Sequence, residues 1–239
     1  MWSDWVRDGI GRGCSRKQLY DVMMGHGVSS KEAMGLLGWR PNPGRAIVRS
    51  GPVSVVDDVL SDMECDVLIG LAFYKGIKRN KVVNHQGGER EDEGRTSDGV
   101  GFRKYENGFL KSIEERLAKL TDWPVEYGEG LQILRYQQGC EYRPHVDWFD
   151  DSTGGQEQLK RGGQRYGTVV VYLKCADEGG GTSFPNLGMT VTPKRGSAVC
   201  FMNVDEQGNP MELVRHSGDP VVKGEKIVMT LWQREGRFE

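Results

Sequence analysis

A chain of 239 residues with a net charge of −2 has room for one sizeable domain and a small appendage, and it carries no global basic field for nucleic acid or an anionic membrane surface. No apolar run approaches the ~18 residues a spanning helix needs, and the opening Met-Trp-Ser-Asp-Trp-Val-Arg-Asp is too charged for a signal peptide. The five cysteines (Cys14, Cys65, Cys140, Cys175 and Cys200) are scattered and form no Cys-x-x-Cys pair, which predicts free thiols in a reducing cytoplasm rather than a disulfide framework or a zinc site.

Residues 1–44 predict a small helical region and a linker, and residues 45–239 predict the main domain. In the first, Leu19, Val22 and Met23 are expected on one helical face, and Ser29-Ser-Lys-Glu32 has the form of a capping box before Ala33, Met34, Leu36 and Leu37. The simplest role for this hairpin is to pack on the main domain. Arg40-Pro-Asn-Pro-Gly44 marks a turn. The main domain is expected to open with a strand over Val53–Val56. A helix capped by Ser61-Asp-Met-Glu64 follows, running to Phe73. A short strand over Lys81–Asn84 precedes a polar, Gly-rich loop from Gln86 to Gly101, of a length that is usually functional or disordered. A second helix is expected over residues 107–120, with Leu110, Ile113, Leu117 and Leu120 on one stripe.

From Leu131 onward the pattern turns to short strands separated by Gly, Pro, Asn and Asp: 131–137, 142–147, 166–174, 181–184, 189–192, 197–203, 211–216 and 225–234. Many short strands after two long helices predict a mainly β (α+β) fold with flanking helices, a double-sheet jelly roll of the cupin-like class.

Two segments carry chemistry. In Tyr142-Arg-Pro-His-Val-Asp-Trp-Phe-Asp150, a strand would turn His145 and Asp147 to the same face, so one imidazole and one carboxylate can reach one ion. Of the four histidines, His216 is the candidate third ligand, which would complete a two-His, one-carboxylate face of the kind that leaves open positions on Fe(II). In Lys226-Ile-Val-Met-Thr-Leu-Trp232, alternation places Lys226, Val228, Thr230 and Trp232 on one side. A lysine facing inward is costly unless an anion meets it, and a small dicarboxylic cosubstrate would be such an anion. Gly179-Gly-Gly181 lacks the strand, helix and Lys-Ser/Thr of a phosphate loop, and Glu89–Arg95 is most simply a solvated mixed-charge run.

These pieces resemble the catalytic domain of the prolyl 4-hydroxylases, a branch of the Fe(II)/2-oxoglutarate dioxygenases. The resemblance rests on Arg95-Thr-Ser-Asp-Gly99, Leu131 to Tyr136, His145-Val-Asp147, Gly163-Gln-Arg165, Gly180-Gly-Thr-Ser-Phe-Pro185, Arg215-His216, Lys226 and Trp232. They occur in family order over roughly residues 53 to 237. It implies the double-stranded β-helix fold, with His145, Asp147 and His216 as iron ligands. Lys226, Tyr136, Thr182 and Trp232 are implied around 2-oxoglutarate, and Arg95, Ser97, Glu129 and Arg165 on the side of a proline-containing peptide.

The implied reaction hydroxylates peptidyl proline and converts 2-oxoglutarate and O2 to succinate and CO2, with ascorbate as a further cofactor. In contrast to some members, which carry His two residues past the tryptophan, this chain has Arg234 there, which bears on substrate contacts rather than on the chemistry. The same chemistry on a free amino acid or another protein side chain is the first alternative. A metal-binding jelly roll without turnover is the second, and the inward lysine speaks against it. A nucleic-acid demethylase of the same superfamily would need the basic face this chain lacks. The residues leave the oligomeric state open.

Overall fold

The computed structural model describes residues 2–38, 48–79, 82–83, 89–90 and 94–238. Three short helices come first: α1 (Trp2–Gly11), α2 (Arg16–Gly25) and α3 (Ser30–Leu37). Ser15 caps α2 through a reciprocal box with Gln18, and Ser29 accepts from the Glu32 amide to start α3. Leu19 and Met23 are buried as expected, but Val22 is 43% exposed. An i, i+4 pair lies along one line of a helix, and Val22 falls on its solvent flank. The expected turn at Arg40–Gly44 lies outside the described residues.

Strands β1 (Val48–Ser50) and β2 (Val53–Val56) lead into α4 (Asp62–Lys75), whose Ser61/Glu64 capping box is complete. Four short strands follow: β3 (Lys78–Arg79), β4 (Val82–Val83), β5 (Glu89–Arg90) and β6 (Asp98–Gly101). Then come α5 (Gly108–Thr121), β7 (Gln132–Tyr136), β8 (Tyr142–His145), α6 (Thr153–Leu159) and β9 (Arg165–Lys174). The rest is β10 (Glu178–Gly179), β11 (Thr182–Phe184), β12 (Met189–Val191), β13 (Ala198–Met202), β14 (His216–Gly218), β15 (Val221–Lys223) and β16 (Lys226–Arg234).

An eight-stranded antiparallel sheet runs in the order β1-β2-β13-β9-β16-β7-β6-β3, and a four-stranded one in the order β12-β11-β14-β8. Alternation along the strands of the large sheet divides its side chains between two cores. Ile133, Val169, Val171, Met229 and Leu231 pack against α4 and α5 on one face. Leu134, Tyr136, Tyr172 and Val228 meet Phe184 and Val191 of the small sheet on the other. Two facing antiparallel sheets with helices covering the outer face of one form the expected jelly roll.

Two strand expectations and one loop expectation change. The strand expected over 142–147 ends at His145, and Asp147 lies in the bend beyond it. The segment expected as a strand over 211–216 is a 3-10 turn over Glu212–Val214 followed by β14. Leu213 there is 42% exposed, so its apolar character does not mark a core face. The long polar loop from Gln86 ends in β6, whose Asp98–Gly101 pairs with Gln132–Arg135 of β7. Gly99 is therefore held in the ladder opposite Leu134 and cannot serve as a free hinge.

Candidate active site

The ligand triad is assembled by strand register. β8 and β14 are antiparallel neighbours, with His145 directly opposite His216, so residues 71 apart in sequence bring their rings to 4.3 Å. Just past the end of β8, the Asp147 carboxylate reaches both: Oδ1 is 3.8 Å from His145 Nε2 and Oδ2 is 3.8 Å from His216 Nε2. One donor atom from each of the three lies within 4.8 Å of the others.

The protonation state suits a metal. His145 Nδ1 lies 2.8 Å from the Arg143 carbonyl, and His216 Nδ1 lies 3.0 Å from that of Val214. A carbonyl only accepts, so Nδ1 carries a proton in each ring and Nε2 is the nitrogen turned toward Asp147. Burial, with His216 alongside, pushes His145 down to about 3 against the pull of Asp147, so its ring is neutral at physiological pH. For Asp147, burial alone would raise the carboxyl. The two imidazoles, Arg165 and a hydrogen bond from Thr168 outweigh it and hold it at about 2. Thr168 Oγ1 donates to Asp147 Oδ2 at 2.8 Å and accepts from Asn203 Nδ2 at 2.9 Å. Tyr142 stacks on the His145 ring at 3.5 Å.

The triad opens into a cavity of about 750 Å³. Lys226, Val228, Thr230 and Trp232 all line it, as alternation requires. Lys226 pairs directly with Tyr136 across the β16–β7 ladder, and its Nζ sits 4.9 Å from the tyrosine ring centre. The Lys226 side chain is 2% exposed, and its hydrogen bond goes to the Gly181 carbonyl at 3.3 Å. Burial pulls it down to about 8, opposed by the nearby Asp219. Thr182 is beside it, accepting from Tyr172 Oη at 2.7 Å. Among the described residues this deeply buried ammonium has one carbonyl partner and no carboxylate within ion-pair distance, so it is ready for a carboxylate.

The donor set fits Fe(II): two imidazole nitrogens and a carboxylate oxygen on one side, with the cavity on the other. Two buried polar atoms at the cavity, Arg95 Nε and Trp232 Nε1, have no hydrogen-bond partner among the described residues, which fits a site completed by a polar guest.

Arg95 and Arg165 face the cavity, whereas Ser97 and Glu129 do not. Ser97 is fully buried and hydrogen-bonds Tyr136. Glu129 binds Arg165 through two oxygens, at 2.7 and 2.9 Å, and its Oε1 also accepts from Arg234 Nε at 2.6 Å. Burial would raise the Glu129 carboxyl, but the two guanidinium groups hold it below its usual range. Arg165 lies over the Trp232 ring at 4.0 Å and donates to the Asp147 carbonyl at 3.4 Å. The Arg95-Thr-Ser segment is not free to swing. Thr96 exchanges hydrogen bonds with Glu141 through backbone and side chain, and the Arg143 amide donates to Gly94.

Residues 131–234 match the 2OG-Fe(II) oxygenase superfamily. Prolyl 4-hydroxylase 5 of Arabidopsis thaliana is 36% identical over 85% of this chain and 72% of its own length. Probable prolyl 4-hydroxylase 6 of the same plant is 37% identical over 82% and 70%. The chain belongs to the prolyl 4-hydroxylase family. As a member of that family it is an Fe(II)- and 2-oxoglutarate-dependent dioxygenase. The solved viral collagen prolyl hydroxylase of Paramecium bursaria Chlorella virus-1, in complex with 2-oxoglutarate, superposes with a TM-score of 0.61 at 29% identity, over 77% of this chain and 96% of that one. For a prolyl 4-hydroxylase, the sequence reading missed Thr168, Asn203 and Tyr142. Thr168 within an apolar strand and Asn203 just past the end of another carry no signal of the carboxylate they support, because the contact crosses from the end of β13 to β9 to the bend after β8.

Proposed function

We propose that this dioxygenase hydroxylates peptidyl proline. His145, Asp147 and His216 would hold Fe(II), which with 2-oxoglutarate and O2 supplies the oxidising chemistry, one oxygen atom passing to substrate and the other to succinate with release of CO2. Ascorbate completes the cofactor set. The observation that carries the reading is the pairing of the triad with the buried Lys226 in one cavity. Lys226 anchors the far carboxylate of 2-oxoglutarate, Tyr136 flanks it, and Thr182 and Trp232 shape its pocket. Arg95 and Arg165 meet the peptide at the mouth, while Ser97 and Glu129 act through Tyr136 and Arg165. The carbonyl-bound Nδ1 atoms keep both imidazoles aimed, burial keeps His145 neutral, and Asp147 stays ionised. Residues 45–239 form the catalytic domain, with residues 1–44 an accessory region, and a cytoplasmic location agrees with five free thiols.

The deciding experiment incubates the iron-loaded enzyme with proline-containing peptides, 2-oxoglutarate and ascorbate. It follows a mass gain of one oxygen atom alongside succinate. Expected are stoichiometric hydroxylation of peptide and no turnover of free proline. Free proline as the preferred substrate would shift the reading to a free amino acid.

A further inference from the structure

The mouth of the cavity has a wall that no iron ligand or cosubstrate contact explains. Trp148, Phe149, Gly154, Gly155 and Gln158 line it, all from the excursion between β8 and β9 that contains α6. The ends of this excursion are clasped together. Gln164 accepts from the Phe149 amide at 2.8 Å and donates to its carbonyl at 2.9 Å, so one side chain closes the loop as a strand partner would. Inside it, Gly155 lies against the Asp150 carbonyl, where a Cβ would collide.

One buried group ties this wall to the rest of the site. Arg234, at the end of β16, is 1% exposed. Its Nη1 donates to the carbonyls of Gln158 and Gly163, at 3.2 and 2.6 Å, at the end of α6 and the turn after it. Its Nε donates to Glu129 Oε1, the same oxygen that takes Arg165 Nε at 2.7 Å. The Phe149 ring lies under both guanidinium groups, 4.7 Å from Arg234 and 4.8 Å from Arg165. Burying a cation costs more than filling the space with an apolar side chain of similar volume. A planar fork, however, is what can hold a carboxylate on one side and two carbonyls on the other at fixed angles.

We propose that Arg234 is a positioning residue for the prime substrate: it pins the 149–163 wall against the Glu129–Arg165 pair and so sets the width of the groove that receives the peptide. This rests on the peptidyl-proline reading above. The wall carries none of the three iron ligands and does not include Lys226, and Arg165 keeps its own two-oxygen pair with Glu129, so loosening the wall acts first on the peptide side. A lysine at this position keeps the charge and loses the fork.

The test is Arg234→Lys in the full chain, measured three ways. For the iron-loaded enzyme, KM for the peptide should rise about ten- to hundredfold, as loss of a charge-assisted hydrogen bond implies. KM for 2-oxoglutarate and peptide-independent 2-oxoglutarate consumption should stay within about twofold of wild type. In the metal-free protein, hydrogen exchange of the 150–163 amides should speed up while that of β9 and β16 does not. A merely structural arginine would lower the melting temperature and leave peptide KM unchanged, and that result overturns the proposal. So does a parallel loss on the peptide and 2-oxoglutarate sides. Gln164→Ala opens the same wall and leaves the side-chain ion pairs of Glu129 with Arg165 and Arg234 in place, removing only the acceptor of the Arg165 amide at 2.9 Å from that side. It should reproduce the peptide-side loss, and it decides the matter if Arg234→Lys does not fold. A wild-type enzyme that hydroxylates no proline peptide overturns the functional reading and the groove with it, while faster exchange in 150–163 alone still reports the pin.

Discussion

At the residue scale, the site depends on which atom of each side chain is already committed. Both triad imidazoles commit Nδ1 to a backbone carbonyl, and Asp147 commits Oδ2 to Thr168. Removing that last partner leaves the carboxylate free to rotate. Thr168→Val should therefore lower Fe(II) affinity by about ten- to hundredfold, the usual effect of losing a group that orients a ligand; an unchanged iron titration would show that Asp147 holds itself in place. Lys226 gives a second prediction. Lys226→Ala should raise the 2-oxoglutarate requirement by roughly tens- to thousandsfold, the cost of one buried charge-assisted contact.

The same lysine also sets a pH dependence. It has been pulled from 10.5 to about 8, so above that pH the ligand-free protein holds it neutral. A carboxylate favours the charged form, so binding then takes up a proton. Apparent 2-oxoglutarate affinity should be flat below about pH 8 and fall roughly tenfold per pH unit above it. Calorimetric titrations in buffers of different ionisation enthalpy check this. No proton uptake at pH 9 would place the anchor elsewhere.

At the element scale, most of the frame was legible in the sequence because it follows from periodicity and caps. The Ser61/Glu64 box starts α4 where it should, and Leu110, Ile113 and Leu117 bury one stripe of α5. Alternation along β16 sends Lys226, Val228, Thr230 and Trp232 into the cavity while Ile227, Met229 and Leu231 enter the helix-side core. What the sequence hid was long-range pairing. The register that sets His145 opposite His216, or Tyr136 opposite Lys226, is decided by which strands become neighbours, and that depends on the whole fold. Arg234 stood out in the sequence as a departure from the family pattern, but its partners were hidden for the same reason: they lie 71 to 105 positions away. A local element, by contrast, can be tested locally. Ser61→Ala removes the side-chain acceptor for the Glu64 amide and should cost about 1 kcal/mol in thermal or urea unfolding. A loss near zero would mean that the Arg116–Glu64 ion pair alone fixes the start of the helix.

At the scale of the whole molecule, the question is whether the helical region before the jelly roll is a separate unit. Its apolar residues do not close on themselves. Leu19, Tyr20, Met23, Met34 and Leu37 share one cluster with Trp123, Tyr127, Tyr166 and Val204 of the jelly roll. Tyr166 is two residues from Thr168 on β9, so both face the same side, and its carbonyl accepts from the Asn203 amide. This shared core ends one step from the hydrogen bonds that hold Asp147. A cluster built from both regions should melt with both. Met34→Ala, at a fully buried position, should cost about 2–5 kcal/mol through lost burial and a cavity. The loss should appear as a shift of one cooperative transition, with near-ultraviolet circular dichroism and iron binding falling together. Two transitions, with only the lower one moved by Met34→Ala, would mean that the helices fold independently and merely rest on the enzyme.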